Sequence, residues 1–189
     1  MEAKKPSYLG LLNAIALGEG RAHQYLNCWA AKTPDPDVKK ILQTVAIREG
    51  EHSHAFTKRL CELGYGVQDR PDPSFEKNMA IANADCSDLE KFEALGYGRE
   101  TMERNIFKGV FDDTSIDIRT GELLGRYIAE EHDSGRMLRG CYEVLRERAG
   151  KGRTAQATGG RELRELHGRL DEICAAIGKL QQEVTAIRR

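Results

Sequence analysis

The 189-residue chain predicts an all-α fold: an antiparallel four-helix bundle with a long crossover between helices 2 and 3, followed by a C-terminal coiled-coil helix. Three observations carry that expectation. Apolar residues recur at three- and four-residue steps through four long segments, the period of a helix that buries one face. The breaks between segments are short and polar, except for one long break at residues 64–88. The halves on either side of it echo each other, as two helical hairpins joined by a crossover would.

The first helix is expected from about Tyr8 to Lys32, capped by Ser7, with Leu12, Ile15, Glu19, Ala22, Leu26 and Trp29 on its buried stripe. Asp35-Pro36-Asp37 then stops the chain and restarts it, with Asp35 as N-cap and Pro36 at the first helical position. So short a connection makes an antiparallel hairpin. The second helix carries Leu42, Val45, Phe56, Leu60 and Leu63 on its seam and ends at Gly64. Within the crossover, Gly66, Pro71 and Pro73 break structure, and Ser74–Asn83 fit a short helix. Ser87 and Glu90 form a capping box for a third helix from Asp88 to about Phe111, burying Phe92, Leu95, Met102, Ile106 and Val110. After the polar break at 112–115, a fourth helix from about Asp117 to Arg148 buries Leu124, Tyr127, Ile128, Leu138, Cys141, Tyr142 and Leu145.

Residues 1–149 are thus expected to form the bundle, and Gly150–Gly160 a flexible linker by composition. Over 161–189, Leu163, Leu166, Leu170, Ile173, Ile177, Leu180, Val184 and Ile187 alternate by three and four, the a/d register of a coiled coil. The other reading is a fifth helix folded back on its own bundle. The narrow seam and loose linker favour a homo-oligomer assembled through this tail, with the number of strands left open.

The 29 basic and 30 acidic residues nearly cancel, so no basic excess points to nucleic acid. Cys28, Cys61, Cys86, Cys141 and Cys174 are scattered, and none forms a Cys-x-x-Cys knuckle. That argues against a disulfide framework, a structural zinc and a rubredoxin-type iron site, and for a reducing compartment. Lys4 and Lys5 before the apolar run Tyr8–Leu17 look superficially like a short signal peptide. Asn13 interrupts that run, no small-x-small cleavage site follows, and no stretch approaches a membrane span, so a cytoplasmic location is expected. A Gly-x-Ser-x-Gly elbow, a phosphate loop and a zincin motif are all missing, which disfavours hydrolytic chemistry.

The chemistry lies in the second helix. Glu49 and His52 continue its apolar seam through the middle, where a carboxylate and an imidazole are costly unless something pairs with them. Their Glu-x-x-His spacing aims both at one point, about a turn apart. Glu51 and His54 repeat the spacing about 200° round the helix and should face solvent. Folding the hairpin brings Glu19 opposite Glu49 and His52. In the second half, Glu103 lies close to the third seam with Glu100 at its edge, and the fourth seam passes through Glu131 and Ser134. Glu130 and Asp133 are displaced toward the polar side. A buried His hydrogen-bonded to a buried Glu is the plain alternative to a metal site.

With Glu19, REGEH (48–52), RETMERN (99–105) and IAEEHDSGRML (128–138), residues 7–148 resemble the ferritin-like superfamily, rubrerythrin-like proteins in particular. The resemblance implies that each hairpin supplies one Glu plus one Glu-x-x-His, so that six residues hold two iron (or manganese) ions. Glu19, Glu49 and His52 match the first half. Glu100 or Glu103 matches the single Glu of the second half, and Glu131 its Glu-x-x-His glutamate. The sixth position departs from the pattern: Ser134 stands where a His ligand is expected, and one ion or none could follow. Shifting the register by one offers Glu130 and Asp133; His132 lies off to the side. The resemblance also implies reduction of peroxide or dioxygen with electrons from an external donor. The remaining readings are a metal-depleted scaffold oligomerised by its tail and a protein that oxidises and delivers iron.

Overall fold

The computed structural model describes residues 5–97 and 113–151. Among them the chain is all-helical, with no strand: α1 (Leu9–Lys32), α2 (Pro36–Glu62), α3 (Pro73–Asn83), α4 (Asp88–Leu95) and α5 (residues 118–151). The chain divides into two units, Met1–Leu145 and Arg146–Arg189, and the site lies wholly within the first. The expected coiled coil falls outside the described residues, as does all of the expected linker but its first two positions. Those two, Gly150 and Lys151, continue α5.

The local signals are realised with two exceptions. Asp35 caps α2 by accepting from the Asp37 and Val38 amides, and Pro36 opens the helix. Ser87 and Glu90 form the full capping box on α4. Ser7 does not cap α1, whose N-cap is Tyr8 without a side-chain bond; the Ser7 hydroxyl donates instead to Asp113, ahead of α5. The helix begun at Asp88 stops at Leu95 instead of running on unbroken toward Phe111. Gly96 takes φ +84°, and the amides of Gly96 and Tyr97 close onto the carbonyls of Glu93 and Phe92. The rings of Tyr97 and Phe92 meet across this stop at 6.1 Å, the apolar contact that accompanies such a C-terminal turn. Positions 98–112, with Met102, Ile106 and Val110, lie outside the described residues.

Helices α1 and α2 run antiparallel: Ser53 Oγ donates to the Ala16 carbonyl, and His23 Nδ1 lies 2.6 Å from the Ala46 carbonyl oxygen. They approach closely at mid-height because Gly20 and Gly50 have no side chain there. A Cβ on Gly50 would stand 2.8 Å from His23 Nδ1, and one on Gly20 2.9 Å from Ser53 Oγ. Helix α5 runs antiparallel to α2, tied by Arg48 to Glu130, Asp133 and Ser134 and by Arg59 to Thr120.

Among the described residues the core is two apolar clusters with a polar layer between. One joins Tyr8, Leu12, Ile15, Phe56, Leu60, Leu124 and Tyr127. The other joins Leu26, Trp29, Val38, Leu42, Val45, Phe92, Leu138 and Cys141. Between them α1 contributes Glu19, α2 contributes Glu49 and His52, and α5 contributes Glu131. Glu51 and His54 face outward as expected. No helix among the described residues is long and apolar enough to cross a membrane.

Candidate metal centre

Glu19, Glu49, His52 and Glu131 each place one oxygen or nitrogen so that the four atoms lie within 4.8 Å of one another. Glu49 and His52 are only 5% and 4% exposed. His52 Nδ1 lies 3.8 Å from Glu49 Oε2 and 3.5 Å from Glu131 Oε1. These three atoms are buried and make no hydrogen bond. Buried polar atoms are nearly always satisfied, so three orphans aimed at one another ask for a partner.

The ring of His52 is held from behind. Its Nε2 donates to Glu130 Oε2 at 2.7 Å, while Arg126 Nε donates to the other Glu130 oxygen at 2.9 Å. Burial pushes the Glu130 carboxyl up, but these two donors outweigh it and keep it ionised. Nε2 therefore carries a proton whether the ring is neutral or charged, and Nδ1 is the nitrogen turned toward the carboxylates. That is the arrangement by which an outer carboxylate orients a ligating imidazole. Tyr127 stacks edge-on to His52 with ring centroids 4.9 Å apart, and its hydroxyl donates to Glu19 Oε1 at 2.6 Å.

Without a cation the cluster retains protons. Burial, then Glu49 as hydrogen-bond partner and like charge, pushes Glu19 up to about 10. Burial disfavours the His52 imidazolium, but the facing carboxylates of Glu131, Glu49 and Glu130 prevail and raise it to about 10. Glu131 is also raised, by burial first, whereas Glu49 is lowered because His52 and Glu19 outweigh its burial. Protons thus do the neutralising that one divalent ion would do.

The other sequence candidates fall elsewhere. Glu130 is adjacent but turned to the outer nitrogen of His52. Asp133 does not join the converging groups: Arg48 Nη2 and Arg136 Nη2 hold its oxygens at 3.0 and 2.9 Å. Glu100 and Glu103 lie outside the described residues. Ser134 is buried and accepts from Arg48 Nη1 at 3.0 Å, while His132 is exposed. Sequence reasoning missed the roles of Arg48 and Tyr127. Arg48 sits one turn before His52 and Tyr127 one turn before Glu131, the spacing that could have flagged both.

Comparison of the chain with protein-family models, with curated proteins and with solved structures returns no match.

Proposed function

We propose that Glu19, Glu49, His52 and Glu131 hold a redox-active divalent metal, iron or manganese, and that the protein reduces peroxide or dioxygen in the manner of a rubrerythrin-like oxidoreductase. The observation that carries this reading is the convergence of three buried, unpartnered donor atoms on one point. Three carboxylates and one imidazole are a mostly hard donor set, suited to those metals rather than to thiolate-loving ones. The bound ion supplies reversible electron transfer. Ionised Glu49 and Glu131 would favour the oxidised state of a bound ion, while Glu130 orients His52 and Tyr127 fixes Glu19. The apolar clusters above and below limit water, while Glu130 and Glu131, with 27% and 28% of their side chains exposed, mark the side from which a small oxidant arrives. Electrons come from a separate donor, since the chain has no Cys-x-x-Cys motif. The antiparallel packing of α1, α2 and α5 supports a ferritin-like four-helix bundle. The a/d register over 161–189 supports assembly into a homo-oligomer.

A second reading has one observation in its favour. The His52 imidazolium, kept charged by Glu131, Glu49 and Glu130, can serve as the cation of a metal-free scaffold. Metal analysis of protein expressed with iron or manganese separates the two. We expect bound metal in the native chain, its loss in Glu49→Ala and His52→Ala, and peroxide consumption by the reduced, metal-loaded protein. Metal-free native protein would favour the scaffold. Iron oxidation without peroxide turnover would favour iron handling.

A further inference from the structure

We infer that the centre holds a single metal ion per chain and not a pair, an inference that rests on the metal-binding reading above. The four described donors are set closely enough for one ion. One atom from each of Glu19, Glu49, His52 and Glu131 lies within 4.8 Å of the others. Two donors on opposite sides of one ion are about 4–5 Å apart, twice a metal–donor bond of about 2.0–2.5 Å.

The chain also places a positive charge of its own beside the second position. To mirror Glu49 and His52, helix α5 would need an imidazole one turn after Glu131, and that residue is Ser134. Its side chain is buried, with 3% of the residue exposed, and its hydroxyl oxygen already accepts from Arg48 Nη1 at 3.0 Å. The same guanidinium donates to the Glu130 carbonyl at 3.1 Å and to Asp133 Oδ2 at 3.0 Å, so three contacts fix it in place. A guanidinium has no accessible neutral form and offers no lone pair to a metal. On the Glu49 side, Glu130 backs an imidazole whose inner nitrogen is unpartnered; on the Ser134 side, an arginine occupies the hydroxyl that stands in the place of that imidazole. The asymmetry leaves one cation position for a metal and closes the other with Arg48.

The test uses the full chain, stripped with a chelator and reloaded with excess manganese(II). Bound metal is counted after desalting, and the electron paramagnetic resonance spectrum is recorded. We expect one manganese per chain with the six-line signal of an isolated ion, and none in His52→Ala. Two manganese ions per chain with an exchange-coupled spectrum would overturn the single-ion assignment while leaving the metal centre standing. No bound manganese, and no bound iron in a parallel anaerobic loading, would remove both. The double variant Ser134→His, Arg48→Gln restores a donor and deletes the guanidinium, and we expect it to take up a second ion. Should a folded double variant (checked by circular dichroism) still bind only one, Ser134 and Arg48 are not what excludes the second ion, and the inference fails.

Discussion

Of the ionic contacts that link α2 to α5 and the residues just ahead of it, those around Arg59 and those around His52 lie about two turns apart and are built on opposite principles. Around Arg59, the polar contacts close on one another. Its Nε donates to Thr120 Oγ1 at 2.8 Å, Nη1 to Glu62 at 2.9 Å and Nη2 to Asp117 Oδ1 at 2.8 Å. Thr120 Oγ1 and Tyr8 donate in turn to Asp117 Oδ2, and the Thr120 amide to Oδ1, so Asp117 also starts α5. Around His52, Glu49 Oε2, Glu131 Oε1 and Nδ1 itself have no such partner. Buried charge alone therefore says little about function. A network whose members satisfy one another is a fastening; one that stays incomplete, inside a core otherwise well packed, points to something else that completes it.

The contrast can be broken or sharpened by experiment. The largest effect is expected from Arg59→Ala, which strands Asp117. Breaking a buried ion pair costs about 3–5 kcal/mol, and Asp117, with 39% of its side chain exposed, places the loss near the low end, at about 3 kcal/mol. Urea unfolding should show that loss equally with and without metal; a metal-dependent loss would merge the two clusters into one. Chelation comes next. Removing an ion present at 100 times its dissociation constant lowers stability by about 2.7 kcal/mol. The melting temperature of native protein should fall on chelation, and that of His52→Ala should not move.

The pH dependence is smaller per unit and has opposite signs at the two clusters. Although burial raises the Asp117 carboxyl, Thr120, Arg59 and Tyr8 together hold it well below its ordinary 3.8. Its contribution is present above that value and lost as pH falls through the lower folded value. Glu19, raised from 4.5 to about 10, and His52, raised from 6.5 to about 10, bind protons in the folded chain that the unfolded chain releases. Their contribution is whole below the unfolded values and drains away as pH rises toward about 10, by at most about 1.4 kcal/mol per pH unit for each retained proton. Unfolding curves of chelated protein from acid to alkaline pH should therefore peak on the acid side of neutrality. A flat profile from pH 6 to 9 would mean the cluster keeps no extra protons. The smallest effect is expected from Glu19→Gln, a neutral group in place of a protonated carboxyl that still accepts from Tyr127. Chelated protein should gain on the order of 0.5–1 kcal/mol at about pH 5, because the variant folds without the proton that Glu19 must take up, yet bind metal more weakly. No gain in the chelated variant would show that Glu19 takes up no proton on folding.

Much of the scaffold was legible along the chain because its signals are local. Asp35-Pro36 and Ser87-x-x-Glu90 reach only their own first turns, and the stripes of α1, α2 and α5 bury most of the residues that their period selects. Gly96 was harder to read, since a glycine within a helical pattern is often tolerated. Its left-handed conformation, sealed by Tyr97 on Phe92, is a tertiary outcome. The same holds at the site. Spacing placed Glu49 and His52 on one face and Glu19 opposite them. The choice between Glu130 and Glu131 depends on the rotation of α5, and no single-helix pattern sets that rotation.

By itself, the sequence determined that the chain is helical, where most of the described helices begin and end, and that carboxylates interrupt three of their apolar stripes. Only the tertiary structure decided which of those carboxylates converge, which nitrogen of His52 faces them, and that Asp133 and Ser134 belong to Arg48. The reason is one of range. Caps and stripes depend on neighbours within a turn or two, whereas the satisfaction of a buried charge depends on atoms brought by helices roughly 80–110 residues apart in the chain.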